Sequence, residues 1–155
     1  MNTLVVFEDI KMSKEKNMLI DAKDLIVGRM ATVVAKKVLN RETVDIINCE
    51  QAVVSGRREN VLARFKQKHD RGAPLVGPYI SRQPDRLVRR MIRGMMHHRE
   101  GRGKEAFKRV MCYIGVPPEF KGKKADTIKE AHVSKLPTLH YTRIKDISAF
   151  LGAKK

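Results

Sequence analysis

The stretch MLIDAKDLIVGRMATVVAKKVLNR, residues 18–41, carries the reading on which the fold turns. Met18 to Ala22 is a short apolar, β-prone run. After Asp21, Asp24 and the break at Gly28, the apolar residues Met30, Ala31, Val33, Val34, Val38 and Leu39 recur at helical intervals. A short β-prone run followed by a helical period predicts a strand, a turn and a helix. Val44 to Cys49 and Gln51 to Val54 are again short and β-prone, and they stop at Ser55-Gly56. Strands alternating with helices predict an α/β domain with a mainly parallel sheet, because parallel neighbours need a crossover between them.

Beyond Gly56 the helical stretches become basic. Arg57 to His69 places Val61, Leu62 and Phe65 on one face and Arg57, Arg58, Arg64, Lys66 and Lys68 around the rest, which predicts an amphipathic helix with a cationic exterior. Asp70 to Pro84 is rich in turn residues (Gly72, Pro74, Gly77-Pro78, Ser81) and also holds Arg71, Tyr79 and Arg82, so an extended arm is expected. Pro84 suits the first turn of a further helix. Leu87, Val88, Met91, Ile92 and Met95 form its stripe, with Arg86, Arg89, Arg90 and Arg93 alongside. Gly94 to Gly103, with His97, His98, Arg99 and Arg102, reads as a basic loop, and Lys104 to Arg109 as a helical turn leading into a strand at Val110 to Ile114. Lys121 to Lys135 reads as a polar surface excursion, and Arg143 to Leu151 as a closing helix.

The charge is concentrated. The formal net is +16; residues 1–56 are neutral, 57–104 carry +10 and 105–155 carry +6. Most of the basic residues in the middle third are arginines, whose planar guanidinium binds phosphate in a bidentate fashion and stacks on exposed bases. A single basic helix would ordinarily be a solvated face. Here the imbalance spans two helices and the arm between them, which points to a nucleic acid. Lys36, Lys37 and Arg41 need no such partner, since cations in the last turns of a helix complement its dipole. No apolar run approaches the roughly 20 residues of a membrane-spanning helix, and Leu4 to Phe7 is cut short by Glu8 and Asp9, unlike a signal peptide. Cys49 and Cys112 lie in apolar segments without CxxC spacing, so buried reduced thiols are expected.

Catalysis finds little support. Asp24 to Arg29 has one glycine and no GxGxxG, and Gly101-Arg-Gly-Lys104 lacks the Walker spacing and its Ser/Thr. RNA phosphate could still sit on that Gly-Arg-Gly-Lys turn. His97-His98 would suit acid/base work on a phosphodiester, but sequence neighbours seldom aim at one atom. The carboxylates of the basic third, Glu59, Asp70, Asp85 and Glu100, are scattered. Ser55 has no GxSxG context, and His69, His132 and His140 are isolated.

Four pieces together resemble the large-subunit ribosomal protein uL13 family in its archaeal and eukaryotic style. They are Asp21-Ala22 with Gly28-Arg29-Met30-Ala31; Ile47-Asn48-Cys49-Glu50 running to Ser55-Gly56; Gly77-Pro78-Tyr79 through Arg89-Arg90-Met91-Ile92-Arg93-Gly94-Met95; and Gly103-Lys104-Glu105-Ala106-Phe107 to Gly115-Val116-Pro117. The resemblance implies a three-layer α/β/α domain on a mainly parallel four-stranded sheet with an extended basic arm. It also implies binding to large-subunit (23S-type) ribosomal RNA beside neighbouring large-subunit proteins, a part in subunit assembly, and a cytoplasmic, ribosomal location. No catalysis, cofactor, metal, membrane or small-molecule substrate is implied. Carried over by position, Ser55, Gly56, Arg57 and Arg58, the arm with Gly77, Pro78, Tyr79, Arg82 and Arg86, and Arg89, Arg90, Arg93 and Gly94 are the RNA-contacting candidates. The charge map adds Arg64, Lys68, Arg71, His97, Arg99, Arg102 and Lys104, and Arg29, Lys36 and Lys37 on the first helix are carried as further candidates. The chain departs from the family after Met95, where Met96-His97 stands in place of the usual Leu-Pro. Residues 1–17 are expected to be an N-terminal extension to a single domain at 18–155. A free nucleotide-using enzyme and a regulator that binds messenger RNA are the other classes left open at this stage.

Overall fold

In chain order the elements are β1 (Asn17–Asp21), α1 (Val27–Leu39), β2 (Thr43–Ile47), β3 (Val53–Ser55), α2 (Arg58–His69), α3 (Pro84–Gly94), α4 (Gly101–Lys108), β4 (Val110–Cys112), β5 (Tyr141–Arg143) and α5 (Ile144–Phe150). They are those of a computed structural model that describes residues 17–73 and 75–153. Of the expected N-terminal extension, only Asn17 lies within the described residues, where it opens β1.

The α/β class and the parallel sheet follow from the apolar runs. β1 pairs in parallel with β2, and β2 with β4, which sets Ile20 beside Ile46, Val44 beside Val110 and Ile46 beside Cys112 on one face. Ile20, Val44, Ile46 and Val110 have no exposed surface. Over this core α1 buries Val27, Met30, Ala31, Val34, Ala35 and Val38, the i, i+3, i+4 stripe of an amphipathic helix. Fully burying one such Val, Ile or Met contributes about 1.5–3 kcal/mol. α3 adds Leu87, Val88 and Ile92 to the same core, and α4 adds Ala106.

The fourth strand expected in that sheet does not join it. Asn48 adopts a left-handed backbone (φ 55°) while its side-chain amide donates to Asp21 Oδ1 at 2.9 Å, and residues 49–51 wind into a single 3₁₀ turn. An asparagine tolerates that conformation, so the apolar run changes direction there. The chain then enters β3, which pairs antiparallel with β5 (Val53 opposite Arg143, Ser55 opposite Tyr141). One parallel bridge, Ile26 with Val53, is its link to the β1 side.

Two other segments differ from expectation. Residues 121–135 are not a mere surface excursion, because their main chain fastens the outer edge of β1 and the turn after it. Asp126 N donates to Leu19 O at 2.8 Å, Asp21 N to Asp126 O at 3.1 Å, Ile26 N to Ala131 O at 2.7 Å and Val133 N to Asp24 O at 3.0 Å. Ala131 is fully buried beneath this strap. The basic loop is also shorter than expected, because α4 begins at Gly101, not Lys104. Gly103 is buried against the preceding turn, where a Cβ would overlap the His97 carbonyl. The glycine serves close packing there.

Cys49 and Cys112 are free and buried. The hydrogen bond between them, and then burial, pushes the Cys112 thiol up. No helix among the described residues is long and apolar enough to cross a membrane, and no group of three potential metal-ligating side chains occurs among them.

Candidate nucleic-acid interface

The basic middle third is displayed on α2, the arm, α3 and the turn into α4. α2 buries only Val61 fully, while Arg57, Arg58, Arg64 and Lys68 are exposed. Leu62 and Phe65 are half-buried against the core, as their spacing with Val61 requires. Ser55 precedes this helix and is exposed; Gly56 takes φ +128°, a conformation few side chains permit, with its N–H donating to His140 O at 2.9 Å.

Between α2 and α3 runs a groove of about 340 Å³. Arg64, Lys68 and Arg90 stand on its rim with Ser55 and Gly94, and Phe65, Ile80, Leu87 and Met91 lie within it. Partial burial lowers the affinity of Lys68 for its proton, and the charges of Arg64, Arg90 and Arg71 lower it further. Three cations therefore converge on the groove with no carboxylate in its lining, and Arg71 stands near Lys68 in the adjoining arm. Across residues 57–104, among those described, Arg58 is the one Arg or Lys with a carboxylate within 4.0 Å, Asp146 at 3.9 Å. That pair is exposed and contributes about 0–1 kcal/mol.

The arm forms a second, more open recess of about 500 Å³ lined by Arg71, Gly77, Pro78, Tyr79 and Arg82. It is a small structured turn: Tyr79 donates its hydroxyl to Leu75 O at 2.6 Å, and Arg90 Nη1 donates to Tyr79 O at 3.4 Å. Arg82 Nε donates to His69 Nε2 at 3.3 Å, so the His69 proton sits on Nδ1, facing Asp70 Oδ1 at 3.2 Å. Arg82's carbonyl also accepts from Ser148 Oγ at 2.6 Å, which ties the arm to α5. Leu75, Val76 and Tyr79 are almost bare, at 92, 83 and 72% exposure, which leaves an apolar tip beside the cations.

The other candidates fall into three places. Arg86 is exposed on α3 and Arg93 half-buried, while Arg89 turns inward, its guanidinium carbon 4.7 Å from the Phe107 ring centroid and its Nε buried without a hydrogen bond. His97, Arg99, Arg102 and Lys104 are exposed around the turn into α4. On α1, Arg29 donates to the carbonyls of Glu130 and Lys135 at 3.3 and 3.4 Å, Lys37 lies 4.0 Å from Glu42, and Lys36 is exposed. The structure thus gathers Arg64, Lys68 and Arg90 on one groove with Arg71 near Lys68, Arg90 also holding the Tyr79 carbonyl, while Arg29, Lys37 and Arg89 are turned to partners away from it. Phe65, Ile80 and Met91 were not singled out as site residues. For Phe65 and Met91 the available signal was a place on an apolar stripe flanked by arginine; Ile80 lies in the arm and carries no such pattern.

A larger concavity, about 640 Å³, lies elsewhere, lined by Glu50, Gln83, Pro84, Ile114, Lys145 and Ala149 among others. It has charges of both signs and none of the clustered cations.

Fold and surface define an α/β protein with a strongly cationic middle third. A family model described as Ribosomal protein L13 matches residues 15–119. Curated proteins named large ribosomal subunit protein uL13 are similar over most of the chain. That of Archaeoglobus fulgidus is 37% identical over 134 residues, 86% of each chain. That of Methanosarcina barkeri is 39% identical over 136 residues, 87% of this chain and 97% of its own. That of Haloarcula marismortui is 35% identical over 141 residues, 91% and 94%. The chain belongs to the ribosomal protein L13 family.

Proposed function

We propose that this protein is a structural constituent of the large ribosomal subunit that binds large-subunit rRNA, supports subunit assembly and catalyses nothing. The observation that carries the reading is the convergence of Arg64, Lys68 and Arg90 around one groove whose lining holds no carboxylate, with the charge of Arg71 close enough to act on Lys68. Cations held so close repel one another unless a polyanion neutralises them. A-form RNA offers closely spaced phosphates and hides its major groove from side chains, so backbone and shape recognition dominate. The arm from Arg71 to Arg82 and the turn bearing His97, Arg99, Arg102 and Lys104 extend the contact on either side. Neighbouring ribosomal proteins are the expected partners of the apolar arm tip, and the cytoplasmic ribosome is the expected location.

Sedimentation of the native protein tests this. It should travel with large subunits through a high-salt gradient and bind purified large-subunit rRNA with strong salt dependence. Protein remaining at the top of the gradient, with no affinity for that RNA, would refute the proposal.

A further inference from the structure

The groove between α2 and α3 combines two chemistries. Its floor is apolar, built by Val54, Val61, Phe65, Leu87 and Met91, with Ile80 from the arm. Its rim is cationic, and the Lys68 ammonium lies 5.7 Å from the centroid of the Phe65 ring. A merely solvated basic face has no need of an apolar recess. A patch meant for an apolar partner gains nothing from a fence of mutually repelling charges. At about 340 Å³ the groove is at the lower end of the roughly 300–1,000 Å³ of small-molecule sites, too small for a helix but open to one planar group.

We infer that the groove holds one unpaired nucleotide of the bound RNA, its base in the recess against Phe65 and its flanking phosphates on Arg64, Lys68 and Arg90. The inference rests on the RNA-binding reading and goes further by naming what the groove selects. Unpaired bases in loops, bulges and ends can be splayed out and stacked on aromatic side chains, whereas bases in a duplex cannot. Charge complementarity selects this occupant, because an apolar side chain from a neighbouring protein would leave the rim unneutralised.

Gly94 provides the test. It borders the groove at the end of α3, and a Cβ there meets nothing within 4 Å, so Gly94→Phe sets a bulky ring at the rim of the recess without displacing the core. Gly28→Phe, equally open but on α1, is the matched control. Phe65→Leu, which keeps an apolar floor but removes the aromatic face, is the second variant. Full-length proteins are bound to large-subunit rRNA across a salt series, and 2′-hydroxyl acylation is read at each nucleotide.

Gly94→Phe should weaken binding by about 5- to 150-fold, the range for losing one stacked base. Its salt dependence should stay that of the wild type, because no phosphate contact is lost. Phe65→Leu should lose less, and Gly28→Phe nothing. One unpaired nucleotide should change reactivity in the wild-type complex and revert in Gly94→Phe. Wild-type affinity and an unaltered acylation pattern in Gly94→Phe would overturn the inference while leaving RNA binding intact. A defect in entering large subunits with normal affinity for naked rRNA would overturn it in favour of a protein side chain. Failure of the wild type to bind rRNA would overturn both readings.

Discussion

Removing Arg64 and Arg90 together tests the cation cluster most directly. Each phosphate neutralised by a cation contributes about 0.9 to the slope of log K against log salt for a duplex, and about 0.7 for a single strand. If Arg64, Lys68, Arg71 and Arg90 each meet one phosphate, the cluster supplies a slope of about 3 to 3.6 and roughly a hundredfold loss of affinity between about 50 and 200 mM salt. Arg64→Ala/Arg90→Ala should reduce that share to roughly tenfold, lowering the overall slope by about 1.4 to 1.8. Arg64 and Arg90 are exposed, so stability should change by no more than about 0.5 kcal/mol apiece. The assay is filter binding or fluorescence anisotropy with a large-subunit rRNA fragment across that salt range, with thermal unfolding as the check on folding. Lys124→Ala, an exposed cation outside the basic third, is the control. An unchanged slope in the double variant, or an equal change from Lys124→Ala, would refute the cluster as the phosphate-binding centre.

Three further outcomes follow from the packing. Gly103→Ala should destabilise the fold by about 1–3 kcal/mol, because its Cβ overlaps the His97 carbonyl, whereas Gly94→Ala should be neutral or stabilising by up to about 1 kcal/mol; denaturant midpoints compare them. Burial raises the Asp45 carboxyl above its ordinary value of 3.8, an effect that Lys123 opposes and Glu119 reinforces. The folded state then binds the proton more tightly than the unfolded state, so ionised Asp45 weakens the fold above its folded pKa, and that penalty disappears as pH falls toward 3.8. Asp45→Asn should accordingly melt higher than wild type at neutral pH, with the gap closing in acid. Arg29→Ala removes donors to the Glu130 and Lys135 carbonyls, so amide hydrogen exchange should quicken at Ile26 and Val133, where the strap is bonded, and stay unchanged at Ile46.

How much of this could be read from the chain depended on whether the information lay in side-chain pattern. β1, α2 and α3 stand within one or two residues of their apolar periodicity, because burial of a stripe is what forms them, whereas α1 opens at Val27 and takes in Gly28, which the sequence reads as the break before the helix. The departure of β3 rests on one backbone conformation at Asn48, which no periodicity records. The strap at 126–133 rests on main-chain hydrogen bonds, so its lysine-rich sequence looks like any exposed loop. In the interface, charge counting located the basic third but could not tell Arg90 from Arg89. One helical step separates an arginine on the groove rim from one packed on Phe107. Asp85, four residues before Arg89, lies on the same inward side of α3, its Oδ1 buried without a hydrogen bond.

The strap also sets an order on how the protein comes into being. β1 lies at the start of the domain, yet its outer edge is closed by Asp126, roughly a hundred residues later in the chain. During synthesis that edge stands open, with unpaired N–H and C=O groups able to template another copy's strand. The nascent chain has no strap yet, but it already holds the cations of the middle third, and like charge keeps copies apart. The positive charge of the middle third thus acts first as a safeguard, holding unfinished molecules away from one another until residues 121–135 have been made and can sew the sheet shut.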